Sequence, residues 1–241
     1  MSLEGAGFVV TGGTGALGRA VVLALLARGA RVAVPFRSES SWRALQNAAW
    51  PEATLFGLAA DMADVRSAKR FVDEAAARLG RLDGVAALAG AYVGAGTLES
   101  APVEEWEGML QVNLSTTFAT CRAALPHLLD RGGSAVTVSS RLAATGGAGA
   151  AAYAVSKAAV QALTRVLALE NAERGVRFNC VVPGIIDTAA NRASMPGADG
   201  TRWTSPEAIA TVVLFLLSRD SAPITGAVVP VDRPVRSQGG S

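Results

Sequence analysis

The chain has 241 residues, of which 50% are hydrophobic and 17% are charged, and its net charge at pH 7 is +2. This composition excludes a disordered chain and fits one large α/β domain or two small ones. There is no Lys/Arg block, no apolar run of the roughly 18 residues that cross a membrane, and no signal peptide, so we expect a cytoplasmic protein without nucleic-acid or membrane partners.

The few cysteine and histidine residues favour neither disulfides nor a metal site. Cys121 and Cys180 lie in apolar segments without CxxC spacing, which is typical of core residues in a reducing compartment. His127 is the only histidine, so a histidine-based zinc site is not expected.

Short apolar runs alternate with helical patterns along the whole chain. The predicted strands are 8–10, 31–34, 55–58, 85–88, 135–138, 178–182 and 227–231. The predicted helices are 19–28, 64–80, 102–129 with one break, 151–174 and 206–218. Continuously apolar strands that alternate with helices indicate a mainly parallel sheet covered on both faces. We therefore predict one doubly wound, Rossmann-type α/β domain over residues 1–236, with a seven-stranded sheet and a flexible tail at 237–241.

A glycine-rich turn follows the first strand and opens the first helix. It runs Gly12, Gly13, Thr14, Gly15, Ala16, Leu17, Gly18, and its last six residues match G-x-G-x-x-G. Glycines let backbone N–H groups approach a pyrophosphate at the helix N-terminus, which predicts dinucleotide binding.

The second strand indicates which dinucleotide is preferred. An NAD site places an acid at the end of this strand, but here Arg37 and Ser38 follow it and no acid precedes Glu39. Arg37 can bind a 2′-phosphate, with Ser38 as a further donor, so NADP(H) is the predicted cofactor and NAD(H) remains possible. The alternative is that Arg37 is a solvated loop charge. Asp61 could accept a hydrogen bond from adenine, or serve only as a capping or surface residue.

Ser140, Tyr153 and Lys157 form the candidate catalytic set. Tyr153 and Lys157 are spaced i, i+4 on one helix face, and Ser140 lies thirteen residues before the tyrosine. A nearby ammonium group favours phenolate and should lower the tyrosine pKa, which suits Tyr153 to general acid/base catalysis.

Together these motifs resemble the short-chain dehydrogenase/reductase family over essentially the whole chain. Asn113 and the segment Pro183, Gly184, Ile185, Ile186, Asp187, Thr188 complete the match. The resemblance implies that Tyr153 exchanges the substrate proton, that Ser140 binds the substrate oxygen, and that Lys157 lowers the tyrosine pKa and binds the nicotinamide ribose. It also implies that Asn113 holds a relay water and that Thr188 and the Ile186 backbone anchor the carboxamide. The cofactor residues it implies are Gly12, Thr14, Gly15, Ala16, Leu17, Gly18, Arg37, Ser38, Asp61, Met62, Ala89, Gly90, Tyr153, Lys157, Pro183, Gly184, Ile186 and Thr188.

Some positions depart from the family pattern. The frequent Asn-Asn-Ala-Gly after the fourth strand is Ala87, Leu88, Ala89, Gly90 here, so this loop must be held by other side chains. The alternative for Asn113 is that it only marks the break in its helix.

Residues 188–205 are the expected lid, and locally they resemble dihydropteridine reductase of the same family. The candidate substrate walls, which could also be plain core, are Tyr92, Val93, Leu142, Ile185, Met195 and Trp203. Arg192 could bind an anionic substrate, but a salt bridge to Asp199 is the expectation.

Three functions follow. The first is an oxidoreductase for a small carbonyl or alcohol substrate, which the retained Ser140 favours. A reductase of a quinonoid dihydropteridine or quinone-like heterocycle is the alternative, and a non-catalytic dinucleotide sensor or scaffold is a third. The resemblance also implies a homodimer or homotetramer packed through the helices 102–129 and 151–174.

Overall fold

One parallel sheet runs through residues 3–94 and 96–232, which the computed structural model describes. Its seven strands are β1 (Gly7–Thr11), β2 (Arg31–Phe36), β3 (Leu55–Ala59), β4 (Gly84–Ala87), β5 (Ser134–Val138), β6 (Arg177–Pro183) and β7 (Val228–Val231). They are arranged in the order β3-β2-β1-β4-β5-β6-β7, and every neighbouring pair is parallel. The predicted fold class and all the predicted strands are confirmed, and the predicted tail at 237–241 lies outside the described residues.

Helices cover both faces of this sheet. In chain order they are α1 (Ala16–Leu26), α2 (Glu39–Gln46), α3 (Val65–Leu79), α4 (Val103–Met109), α5 (Thr116–Leu129), α6 (Leu142–Thr145), α7 (Ala151–Asn171), α8 (Ala189–Ser194) and α9 (Pro206–Leu217). Helices α1 and α9 pack together over one apolar core, and α3 and α5 pack over the other. Strands β1, β4 and β5 are buried along their whole length, which explains why their sequences are continuously apolar or small.

The sequence patterns did not predict the short helices α2, α6 and α8, but they did predict the break in the helix at 102–129. Helix α2 was not predicted, because only Trp42 and Leu45 are buried along its eight residues and they give too short an apolar repeat. The predicted break in the helix at 102–129 is a π-helical turn, Leu110–Ser115, between α4 and α5. Asn113 lies in this turn and is fully buried.

The strand order creates a crevice above the centre of the sheet. Strand β1 pairs with β2 on one side and with β4 on the other, so the chain leaves the carboxyl ends of β1 and β4 in opposite directions. Open α/β sheets bind ligands at such a point. The glycine turn after β1, Gly90 after β4 and Ser140 after β5 all lie at this edge.

Among the described residues, no helix is both long and apolar enough to cross a bilayer. Both cysteines are free and buried, and burial raises the pKa of the Cys121 thiol to about 12.

Candidate active site

A cavity of about 1290 Å³ occupies the crevice at the carboxyl ends of the strands. The predicted residues that line it are Gly12, Thr14, Gly15, Ala16, Leu17, Gly18, Arg37, Ser38, Asp61, Met62, Ala89, Gly90, Tyr92, Ser140, Leu142, Tyr153, Lys157, Pro183, Gly184, Ile185, Ile186 and Met195. The structure therefore brings the two predicted regions, cofactor and substrate, into one space. Within the described residues, no cluster of His, Cys, Asp and Glu side chains is placed to hold a metal ion.

The glycine turn forms a cradle at the N-terminus of α1. A Cβ on Gly18 would lie 2.0 Å from the Gly12 carbonyl oxygen, so the turn is closed so tightly that only glycine fits there. The N-cap residue of α1 is Gly15, and no side chain caps this helix end. The first N–H groups of α1 face the cavity without a side-chain acceptor, which is the donor set that a pyrophosphate requires. These residues fit a dinucleotide.

Arg37 lies at the cavity end beyond this cradle. No salt bridge or hydrogen bond joins its guanidinium to another described residue. Glu39, the first acid after β2, is turned onto Arg43 with a separation of 3.2 Å. The Ser38 hydroxyl caps α2 by accepting a hydrogen bond from the Ser41 amide, so it has a structural task that the sequence analysis did not assign.

Asp61 also lines the cavity, and it is not the helix cap. Its Oδ1 accepts a hydrogen bond from the Ala63 amide at 2.9 Å. Asp64 caps α3 instead, by accepting from the Ser67 amide at 2.6 Å. The adenine contact predicted for Asp61 is compatible with this position, because its carboxylate has a second oxygen.

The candidate catalytic side chains meet at the other end of the cavity. Tyr153 lies on the first turn of α7 and its ring contacts that of Tyr92 edge-on, with 4.9 Å between centroids. The amine of Lys157 lies 6.0 Å from the centroid of the Tyr153 ring and donates a hydrogen bond to the Val138 carbonyl at 3.0 Å. Ser140, at the end of β5, completes the set.

The ionisation of Tyr153 differs from the expectation. Burial raises the pKa of Tyr153 above its ordinary value, and a hydrogen bond with Ser140 opposes this only in part. Burial also lowers the pKa of Lys157 to about 8. The predicted depression of the tyrosine pKa by Lys157 is therefore not found, because loss of solvent dominates the shift and the Lys157 amine donates to the Val138 carbonyl instead.

Asn113 connects three parts of the site. Its Oδ1 accepts a hydrogen bond from the Ala91 amide at 3.0 Å, and its Nδ2 donates to the Ala91 carbonyl and to the Ser156 hydroxyl, each at 3.1 Å. A Cβ on Gly90 would lie 2.6 Å from Asn113 Oδ1 and 3.0 Å from Lys157 Nζ, so only glycine fits between them. Asn113 thus braces the loop after β4, which lacks the amide side chains frequent in the resembled family. Its side chain does not line the cavity.

Ser139 has a similar structural task, although the sequence analysis gave it none. Its buried hydroxyl donates to the Lys157 carbonyl at 2.7 Å and accepts from the Gln161 side chain at 2.9 Å. These bonds attach α7 to the end of β5, which sets the position of Tyr153 relative to Ser140.

The lid is tied back to the end of β6. Thr204 pairs with Ile186 as a parallel bridge, and its carbonyl accepts a hydrogen bond from the Asp187 amide at 2.9 Å. The Thr188 hydroxyl caps α8 rather than lining the cavity, and the Ile186 carbonyl accepts from the Asn191 side chain at 2.8 Å. The Thr188 hydroxyl oxygen and the Ile186 carbonyl thus already accept protein hydrogen bonds, and the carboxamide contacts expected of this segment stay a prediction.

Two lid expectations are corrected. Arg192 pairs with Asp187 through two hydrogen bonds of 2.5 and 2.6 Å, and not with Asp199. Asp199 instead accepts from the amide and hydroxyl of Thr201, because it caps a short 3-10 turn. Trp203 is buried beneath the Arg192 guanidinium, 5.8 Å from it, and does not line the cavity.

Comparison with known proteins agrees with this geometry. The family model described as enoyl-(acyl carrier protein) reductase matches residues 13–233. L-fucose dehydrogenase of Mus musculus is 34% identical over 224 residues, which cover 87% of this chain and 81% of that protein. D-threitol dehydrogenase of Mycolicibacterium smegmatis is 32% identical over 95% of this chain and 92% of its own length.

A solved structure extends the agreement to three dimensions. A short-chain type dehydrogenase/reductase from Mycobacterium ulcerans is 28% identical and superposes with a TM-score of 0.90, covering 96% of this chain and 90% of its own. The chain belongs to the short-chain dehydrogenase/reductase family, whose oxidoreductases use NAD(P)(H) and act on alcohol and carbonyl groups.

Proposed function

We propose that this protein is an NADP(H)-preferring oxidoreductase that transfers hydride between the nicotinamide and a small carbonyl or alcohol substrate. The observation that carries the proposal is the cavity itself, which has Arg37 and the glycine cradle at one end and Ser140, Tyr153 and Lys157 at the other. Its volume, about 1290 Å³, suits a dinucleotide together with a small substrate.

The preference for NADP(H) rests on the charges around Arg37. A 2′-phosphate needs donors and no opposing carboxylate, and Glu39 is occupied by Arg43 outside the cavity lining. The hydroxyl of Ser38 caps α2 and lies beside Arg37, where it can also donate to a phosphate oxygen.

A bound dinucleotide would supply the hydride, and the protein would supply the proton and the orientation. The raised pKa keeps the Tyr153 phenol protonated near neutral pH, so that it can donate its proton to a carbonyl oxygen during reduction. Ser140 holds that oxygen by a hydrogen bond. Lys157 would hold the nicotinamide ribose. Asn113 packs against Gly90 and is bonded to Ser156 of the helix that carries Tyr153, and a relay water held at its turn would lead protons from Lys157 toward solvent.

The retained Ser140 favours carbonyl or alcohol substrates over a quinonoid dihydropteridine, because its hydroxyl lies in the cavity and hydrogen-bonds with Tyr153. The two relatives reported above are likewise named as dehydrogenases of hydroxyl-bearing compounds, L-fucose and D-threitol.

We also infer a homodimer or homotetramer in the cytoplasm. Apolar side chains on α5 and α7 face outward, namely Phe118, Val155, Val166 and Leu169, the last of which is 81% exposed. Light scattering that finds a monomer at micromolar concentration would exclude this assembly.

Arg37→Gln tests the cofactor preference. We expect kcat/KM with NADPH to fall roughly ten- to hundredfold, because a hydrogen bond to a charged group is lost, while kcat/KM with NADH changes little. Arg70→Gln is the matched control, since it removes an exposed arginine of α3 that does not line the cavity and leaves the Glu39–Arg43 pair intact. Equal loss with both cofactors, or a wild-type protein that prefers NADH, would contradict the assignment.

Tyr153→Phe tests the catalytic role and separates the enzyme from a dinucleotide sensor. Loss of the proton donor should lower kcat by roughly 10²–10⁴-fold, while the Kd for NADPH measured by nicotinamide fluorescence changes by less than about threefold. Tyr92→Phe deletes the other tyrosine hydroxyl in the chain and should cost far less in kcat. If Tyr153→Phe retains full turnover on carbonyls, the proposed mechanism is wrong.

A further inference from the structure

Arg141 is a cavity residue that the sequence analysis overlooked. It follows Ser140 directly and lines the cavity at the substrate end, at the opposite end from Arg37. Among the described lining residues the acidic member is Asp61, and it lies at the adenosine end. The substrate end therefore has a cation and, within the described chain, no carboxylate in its lining.

The backbone fixes where this cation lies. The Arg141 amide donates to the Pro183 carbonyl at 3.1 Å, which joins the end of β5 to the end of β6. The guanidinium carbon lies 3.4 Å from the position that a Cβ on Gly184 would occupy. The next residue, Ile185, is one of the candidate substrate walls and lines the same cavity.

The guanidinium retains its hydrogen-bonding capacity. Its nearest acid, Asp232, has its Oδ1 3.5 Å from Arg141 Nη1, beyond the usual hydrogen-bond range of roughly 2.7–3.2 Å. Within residues 3–94 and 96–232, no group accepts a hydrogen bond from this guanidinium. The Arg141 side chain is 54% exposed, so a ligand can reach it.

Arg192, the other arginine that could bind an anionic substrate, differs from Arg141 in the partners of its guanidinium. Its Nε and Nη2 are committed to both oxygens of Asp187 at 2.5 and 2.6 Å. That bidentate pair would have to break before Arg192 could bind a ligand, whereas Arg141 has only a long contact to give up.

We propose that Arg141 binds the carboxylate of a small oxo acid or hydroxy acid and so determines substrate specificity. The proposal rests on the proposed function, since it places a carboxylate beside the Ser140 and Tyr153 groups that hold the reacting oxygen. The planar fork of an arginine matches a carboxylate with two parallel hydrogen bonds, which lysine cannot reproduce.

The test is NADPH-dependent reduction of straight-chain oxo acids of four to eight carbons, each compared with its methyl ester. The readout is the ratio of kcat/KM for acid over ester. In the wild-type protein we expect the best acid to exceed its ester roughly tenfold or more, and the ratio to fall as salt is added, because the site is partly exposed. Arg141→Gln should bring the ratio to about one through a higher KM for the acid, and Arg141→Lys should restore it only in part.

Asp232→Asn distinguishes substrate recognition by Arg141 from a contact that only holds two loops together. If Arg141 binds substrate, removing its loose partner leaves the acid-to-ester ratio unchanged or raises it. If the Arg141–Asp232 contact only holds the loops together, Asp232→Asn and Arg141→Gln lower kcat/KM for acids and esters alike, and the proposal is overturned. A wild-type ratio near one, or a Kd for NADPH that Arg141→Gln weakens tenfold, also overturns it.

Failure of the proposed function would look different. In that case neither acids, esters nor neutral sugars and ketones are reduced, and wild type and Tyr153→Phe are equally inactive while NADPH still binds. Reduction of neutral carbonyls without any preference for acids would remove only the role assigned to Arg141.

Discussion

The site depends on an amine that folding removes from water. Lys157 is buried against the end of β5, where its Nζ donates to the Val138 carbonyl at 3.0 Å. Burying a charge in this way is costly unless polar groups surround it. Asn113 Oδ1 and Lys157 Nζ both approach Gly90 closely, so the position of the amine and the position of the loop after β4 are set together. Desolvation then lowers the pKa of Lys157 to about 8 and raises that of Tyr153.

The sheet converts this local arrangement into a long cavity. The chain diverges at β1 and β4, and the glycine cradle, the Asn113 loop and the catalytic end of β5 all open into the crevice. Cations lie at both ends of it, with Arg37 at one end and Lys157 and Arg141 at the other. The positive electrostatic potential of these side chains attracts anions. This suits both a dinucleotide and the acidic substrate proposed for Arg141.

Features encoded by local pattern could be predicted, and features that depend on tertiary neighbours could not. The strands, the glycine turn and the spacing within 140–157 follow from periodicity and short motifs. The choice of Asp187 over Asp199 as the partner of Arg192 depends on how the lid folds back through Thr204, which spacing does not reveal. The pKa of Tyr153 depends on burial. Arg141 belongs to no motif, and only the cavity shows its importance.

The buried amine can be measured directly, because the chain contains only two lysines, Lys69 and Lys157. Protein labelled with ¹³C at the lysine ε-carbon gives two resonances, and Lys157→Met identifies the one of interest. We expect the Lys157 amine of the protein alone to titrate at about 8, since burial disfavours its charged form. A titration at or above the ordinary lysine pKa of 10.5 would mean that the amine is solvated or paired with a carboxylate, and would contradict the arrangement on which the site depends.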